Sequence, residues 1–126
     1  KDEGYIKDYR VVEATDDKGQ PLPYKVLVVE LKFAPNPRPP STAENHGRGH
    51  HHPGSVYVHV VEGHVRLGVE GEPVQVVGPG GSFFEAAGAH HTITENASAT
   101  EAARAIAVMI VPEAAPLVTL DAQDRP

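Results

Sequence analysis

The stretch HHHPGSVYVHVVEG, residues 50–63, joins a histidine pair to a β-strand and a turn. His50 and His52 are two residues apart, and side chains at positions i and i+2 of an extended chain point to the same side. The β-branched run that begins at Val56 favours a strand, and the closing glycine favours a turn. The stretch therefore predicts two imidazoles presented together next to a strand of a β-sheet.

The composition predicts a small all-β domain around this stretch. A length of 126 residues corresponds to one domain, and 40% hydrophobic residues indicate a globular chain. The 12 glycines and 12 prolines favour many turns between short strands. The net charge of −6, without a cluster of Lys or Arg, makes nucleic acid and anionic membranes poor partners.

The sequence leaves the cellular compartment open. It contains no cysteine, which excludes disulfides, thiolate chemistry and cysteine-type zinc sites. No apolar run approaches the length of a membrane span, so we expect a soluble protein. The sequence begins at Lys1 without a signal peptide, and both a cytoplasmic and a periplasmic or exported location stay open.

Strands and turns alternate along most of the chain. A proline-rich segment, 34–49, leads directly into the histidines, and a loop of that length is usually functional. The last strand is apolar on both faces, which predicts a covered outer face and a homodimer contact. The strands are expected at 9–13, 24–33, 55–61, 64–69, 73–77, 82–85, 90–96 and 104–111.

Two spaced motifs resemble those of the cupin family. The first family motif is glycine, five residues, His-x-His, three or four residues, glutamate, six residues and glycine; His50, His52 and Gly63 match it. The second is glycine, five residues, Pro-x-Gly, two residues, histidine, three residues and asparagine. Gly80, Gly88 and His91 match that motif at the required spacing.

The resemblance covers roughly residues 26–112 and implies a small single-domain bacterial cupin. It implies an all-β fold, the double-stranded β-helix or jelly-roll barrel, over residues 1–126, with a core at about 24–112 and flanking segments at 1–8 and 113–126. It also implies one divalent transition metal per chain, held by His50, His52 and His91. Imidazole ligands suit Fe, Zn, Ni, Mn and Cu, so the pattern does not select one of them.

The chain departs from the family motifs at four positions. One is the opening glycine of the first motif, because neither Gly47 nor Gly49 stands at the required distance before His50. Val56 stands where the first motif has its glutamate, Ala86 replaces the proline of the second motif, and Glu95 replaces its asparagine, with Asn96 one residue later. Three neutral imidazoles leave the full charge of a divalent ion uncompensated. Such a site should favour an anionic or chelating small molecule.

Four residues are candidates for the acid that Val56 does not supply. Glu44 and His46 precede the histidine pair on the long loop, Glu85 ends a short strand, and Glu95 shares sequence parity with His91. Any of them could act as a further ligand or as a general acid or base. We assign Glu85 and His46 as the candidate catalytic residues.

Parity also predicts what surrounds the histidines. Val58 and Val60 share the face of Val56, and Ile93 shares the face of His91, which would give the site an apolar wall. The neighbouring histidines, His51 and His90, should point to the opposite side.

Three functions are consistent with this pattern. The first is a mononuclear dioxygenase acting on a small organic anion. The second is a redox-silent metal-dependent isomerase, cyclase or lyase. The third is a module that binds a metal or a small ligand without turnover. The enzyme interpretations are preferred, with the dioxygenase first.

Overall fold

A computed structural model describes residues 8–47, 49–112 and 119–120 of the chain. The flanking segments expected at 1–8 and 113–126 therefore lie largely outside the described residues. In the described part, the secondary structure consists of strands and turns, which confirms the all-β prediction. The strands are β1 (Asp8–Thr15), β2 (Pro21–Phe33), β3 (His50–His51), β4 (Ser55–Glu62), β5 (Val65–Val69), β6 (Gln75–Val77), β7 (Ser82–Glu85), β8 (His90–Asn96), β9 (Ala103–Pro112) and β10 (Thr119–Leu120).

The strands form two antiparallel five-stranded sheets. The first sheet has the order β1-β2-β9-β4-β7, and the second has the order β10-β3-β8-β5-β6. Consecutive strands often lie in different sheets, as expected for a jelly roll, and the jelly-roll prediction is confirmed. The histidines of β3 and β8 thus belong to the second sheet, whereas Val56 and Glu85 belong to the first.

The hydrophobic core lies between the sheets and follows the alternation of the strands. On β4, Val56, Val58 and Val60 are buried while Tyr57 and His59 are exposed, because neighbouring side chains of a strand face opposite sides. The long strand β9 contributes five buried residues: Ala103, Ala105, Ala107, Met109 and Val111.

A change of register within the second sheet contradicts the sequence prediction for the side chain of Ile93. Val69 pairs with His91, but its neighbour Gly68 pairs with Ile93, so one extra residue of β8 is accommodated between them. A bulge of this kind changes which side chains share a face. The expectation that Ile93 lines the pocket with His91 is wrong; it packs beside Gly68, whereas Thr94 lines the cavity next to His91.

Close approach of the backbone fixes the turn that follows the histidine pair. Gly54 lies against the backbone of Ile110 on β9, where a Cβ atom would collide with the carbonyl oxygen. Gly63 ends β4 with φ at 74°, a left-handed conformation that glycine adopts without strain. These two glycines flank β4, the strand that follows the histidine pair.

The proline-rich loop is fastened to β8 at two places. Ser41 donates from its backbone nitrogen and its hydroxyl to the carboxylate of Glu95, at 3.0 and 2.7 Å. Glu95 Oε2 also lies 3.2 Å from Nε of Arg66. Nearer the start of the loop, the Asn96 side chain donates to the carbonyl oxygens of Ala34 and Glu101 at 3.1 and 2.7 Å. These hydrogen bonds hold the described part of the loop against β8 at Ala34 and Ser41.

The structure describes no helix that is long and apolar enough to cross a membrane.

Candidate metal centre

Strand pairing brings His50 and His91 together. The two residues are direct cross-strand partners of β3 and β8, and both are buried. His52 lies just beyond β3, where its carbonyl oxygen accepts a hydrogen bond of 3.0 Å from the nitrogen of Gly88. That bond ties the first histidine motif to the loop that precedes β8.

The three imidazoles converge as a metal site requires. One ring nitrogen from each of His50, His52 and His91 lies within 4.8 Å of the others. The ring centroids of His50 and His52 are 4.7 Å apart, and those of His50 and His91 are 4.9 Å apart. The structure therefore places together the three residues that the sequence assigned as ligands.

Glu85 is the fourth polar group of this site. Its side chain is only 3% exposed, and Oε2 lies 2.5 Å from Nδ1 of His91. Oε2 forms no hydrogen bond of good geometry with any described residue. A buried carboxylate oxygen without a hydrogen bond is costly unless positive charge is close by. The three imidazoles alone form a donor set that fits a divalent transition metal, and the carboxylate contacts one of them.

The polar groups open into an apolar cavity of about 270 Å³ between the sheets. Thr94 adds a hydroxyl, with Oγ1 3.1 Å from Nε2 of His91. The prediction of an apolar wall is confirmed for Val56 and Val58, whereas Val60 is buried in the core and does not line the cavity. The remaining walls include Val65, Leu67, Ala105, Ala107 and Met109.

A wider groove of about 720 Å³ runs between the proline-rich loop and β8. Lys32, Phe33, His50 and Thr94 line both the groove and the inner cavity. The groove therefore offers an approach to the histidines from the surface. Arg38 and Ser41 belong to its loop side.

The other candidate acids lie away from the cavity. Glu44 is exposed on the loop, and the His46 ring contacts the carbonyl oxygen of Gly47 through Nδ1 at 2.8 Å. Glu95 pairs with Arg66 and Ser41, because the bulge in β8 removes it from the face of His91. The sequence expectation that Glu95 shares the face of His91 is wrong.

The remaining histidines of the two motifs follow the prediction. His51 and His90 stack on each other with centroids 4.6 Å apart, on the side opposite to His50 and His91. His90 Nδ1 lies 2.9 Å from Oε1 of Glu70. Sequence reasoning missed Thr94 as a lining residue, because the bulge that turns it inward has no clear signal in the residue pattern.

Comparison with known proteins supports the fold. The chain resembles the dimethylsulfoniopropionate (DMSP) lyase DddQ of Ruegeria pomeroyi DSS-3 with a TM-score of 0.52 and 18% identity, over 88% of this chain and 50% of the lyase. It resembles an oxalate oxidase in complex with the substrate analogue glycolate with a TM-score of 0.52 and 21% identity, over 88% of this chain and 54% of the oxidase. The chain thus spans about half the length of these two proteins.

The polyketide cyclase RemF of Streptomyces resistomycificus matches with a TM-score of 0.51 and 19% identity, over 94% of this chain and 74% of the cyclase. At these identities the resemblance concerns the fold. No curated protein matches the sequence.

The model of the cupin domain family matches residues 40–109, which include all three histidines, Glu85 and the strands that carry them. This match covers more than half of the chain, and the two-sheet architecture agrees with it. The chain belongs to the cupin domain family.

Proposed function

We propose that the chain is a mononuclear metal enzyme that acts on a small organic anion. His50, His52 and His91 would hold one divalent transition metal. The observation that carries the proposal is the convergence of their ring nitrogens within 4.8 Å at the wall of a buried cavity. The direct test is metal binding by the purified protein, with iron, zinc, nickel, manganese and copper each offered separately.

The charge and shape of the cavity favour an anionic ligand. Imidazoles are neutral ligands, so a divalent ion keeps its charge, and the apolar walls strengthen its attraction for an anion. Lys32 is the one cationic residue among those lining the cavity, and it also borders the outer groove. A volume of about 270 Å³ limits the substrate to a small molecule with a mainly apolar body.

A dioxygenase is the preferred reaction type. Iron in such a site supplies redox chemistry with dioxygen, and the three histidines leave further coordination positions for an anion. The chain itself would bind and orient the anion and exclude bulk water with Val56, Val58 and Met109. Oxygen uptake by the iron-loaded protein tests this, with enolisable and phenolic acids as candidates. No uptake with any of them would contradict the dioxygenase.

A redox-silent isomerase, cyclase or lyase is the second candidate, and Glu85 favours it. Its carboxylate is the buried acid of the cavity and could receive a proton from a bound carbon acid. Zinc or nickel would then act as a Lewis acid, and activity would persist without oxygen. Loss of turnover under anaerobic conditions would contradict this reaction type.

His46 retains a proposed role as a proton donor from the loop next to the groove. It lies beside Gly47, which lines the groove. We expect the substitution His46→Gln to lower turnover without changing the metal content. Unchanged turnover would remove His46 from the catalytic residues.

A binding module without turnover remains the third interpretation. It would show thermal stabilisation by the ligand, because a ligand that binds only the folded state raises the melting temperature. Mass spectrometry would then detect no product. Product formation with any small anion would exclude this interpretation.

We also propose that the chain forms a homodimer through the outer face of the first sheet. Tyr57, Phe84 and Ile110 are exposed there, and Tyr57 lies between its cross-strand partners Phe84 on β7 and Val108 on β9. In a two-fold symmetric dimer, this patch packs against the same patch of the second copy. An uncharged centre of the patch is therefore favourable, because like charges do not meet there. Light scattering at micromolar concentration should give the mass of a dimer for the wild type and of a monomer for Phe84→Asp. A monomeric wild type would contradict the proposal.

A further inference from the structure

Glu85 and Val56 occupy facing positions on neighbouring strands. In the pairing of β4 with β7 they are direct partners, and both side chains are buried and line the cavity. Directly opposed residues have Cβ atoms about 5 Å apart. The carboxylate of Glu85 is thus offered to the same part of the cavity in which Val56 offers only an apolar side chain.

The carboxylate is directed to one particular ligand candidate. Glu85 Oε2 lies 2.5 Å from Nδ1 of His91, and the group whose nitrogens converge for a metal contains the three histidines without Glu85. Because Glu85 contacts Nδ1, a metal would bind at Nε2 of His91, the nitrogen that lies 3.1 Å from the Thr94 hydroxyl and that a bound ion would take over from it. A carboxylate that contacts the second nitrogen of a metal-binding imidazole orients the ring and increases its basicity.

Burial explains why this carboxylate needs a cation. Glu85 is 3% exposed, and its facing neighbour is a valine. A carboxylate removed from water costs several kcal/mol unless a positive charge offsets that loss. A divalent ion among three neutral imidazoles would provide that charge, and the carboxylate would in turn reduce the excess positive charge of the ion.

We propose that Glu85 is a positioning residue of the metal centre. It supplies negative charge from β7 through Nδ1 of His91, whereas Val56, at the facing position on β4, supplies none. The inference rests on the proposed metal site. It differs from direct ligation by a carboxylate, because Glu85 occupies no coordination position. The ion would therefore keep its open coordination positions for a chelating anion. The Glu85 carboxylate, on the far side of the His91 ring, would offset part of the charge of the ion.

Affinity for Co²⁺, measured by competition with a chromophoric chelator, tests the inference. The substitution Glu85→Gln keeps the size of the side chain and removes its charge. Loss of an outer partner of a ligating histidine typically weakens metal binding about 10- to 100-fold, and we expect that loss here. The visible absorption of bound Co²⁺ should also change, because the orientation and basicity of the His91 ring change.

Glu70→Gln is the matched control. Glu70 also contacts Nδ1 of a histidine, at 2.9 Å, but that histidine is His90 on the opposite side of the sheet. This variant should bind Co²⁺ within about twofold of the wild type, a change well below the loss expected at Glu85. Equal losses in both variants would show a general effect of removing acidic charge and would overturn the inference.

Moving the carboxylate to position 56 distinguishes the effect of its charge on metal binding from an effect of the Glu85 side chain on packing. The double substitution Val56→Glu with Glu85→Val returns an acid to the facing position, and we expect it to recover at least tenfold in affinity over Glu85→Gln. The metal-free Glu85→Gln protein should stay folded, as circular dichroism would show, because Gln keeps the size of the side chain at this buried position.

The outcomes distinguish the inference from the function on which it rests. If Glu85→Gln binds Co²⁺ as tightly as the wild type, the positioning role is wrong while the metal site stands. If the double variant binds as weakly as Glu85→Gln, charge at this place is not what the site requires. If the wild type does not bind Co²⁺, the metal site fails and the inference fails with it.

Discussion

Removal of Glu95 should loosen the proline-rich loop and leave the proposed metal centre intact. In Glu95→Ala, Ser41 loses two hydrogen bonds to a carboxylate and Arg66 loses its ion pair. A hydrogen bond to a charged group contributes about 1.5 kcal/mol, and a partly exposed ion pair contributes about 0.5 kcal/mol. Because the two hydrogen bonds and the ion pair share one carboxylate, their contributions do not add in full, and we expect the free energy of unfolding to fall by about 2 kcal/mol. For 126 residues this lowers the melting temperature by about 7 °C.

Hydrogen exchange locates the same effect within the chain. The amide of Ser41 should exchange about 30-fold faster in Glu95→Ala, since 2 kcal/mol of local stability corresponds to a factor of that size. Glu72→Ala, which removes the same charge from an exposed side chain, is the control and should change neither quantity. Metal content should equal that of the wild type in both variants. Loss of metal in Glu95→Ala would refute the reasoning, because it would make Glu95 part of the centre.

Two further substitutions test the barrel itself. Met109→Ala enlarges a cavity that Met109 already borders, and should lower the free energy of unfolding by about 2–3 kcal/mol in urea denaturation. A loss below about 1 kcal/mol would mean that Met109 is not packed as described. Gly63→Ala puts a side chain on a residue with φ at 74° and within 2.5 Å of the Ala102 carbonyl oxygen, so it should cost more than about 2 kcal/mol. Gly71→Ala, with φ at 89° but open space around it, should cost only about 1 kcal/mol; equal losses would contradict the steric part of the argument.

The convergence of the three histidines could be predicted from the sequence. His50 and His52 share a face because of their i, i+2 spacing, and the resemblance to the family motifs adds His91. The structure confirms the grouping through the pairing of β3 with β8. The alternating burial along β4 could also be predicted, because successive side chains of a strand face opposite sides.

The contact of Glu85 with His91 could not be predicted from the sequence. It depends on which strands are neighbours and on the register in which β4 pairs with β7, and a local sequence pattern indicates neither. The bulge in β8 produced the wrong expectations for Ile93 and Glu95, because parity assumes an uninterrupted strand. The fastening of the loop by Ser41 joins residues more than fifty positions apart, a separation that local spacing does not address.

Metal content after purification without added metal tests the central claim most directly, with wild type, His91→Ala and His90→Ala compared by elemental mass spectrometry. His90 is the matched control, because it neighbours His91 on the same strand and points to the opposite side. We predict about one transition-metal ion per chain in the wild type and in His90→Ala, and a loss of at least tenfold in His91→Ala, with circular dichroism showing that all three are folded. Retention of the metal by folded His91→Ala, or its equal loss from His90→Ala, would contradict the three-histidine centre.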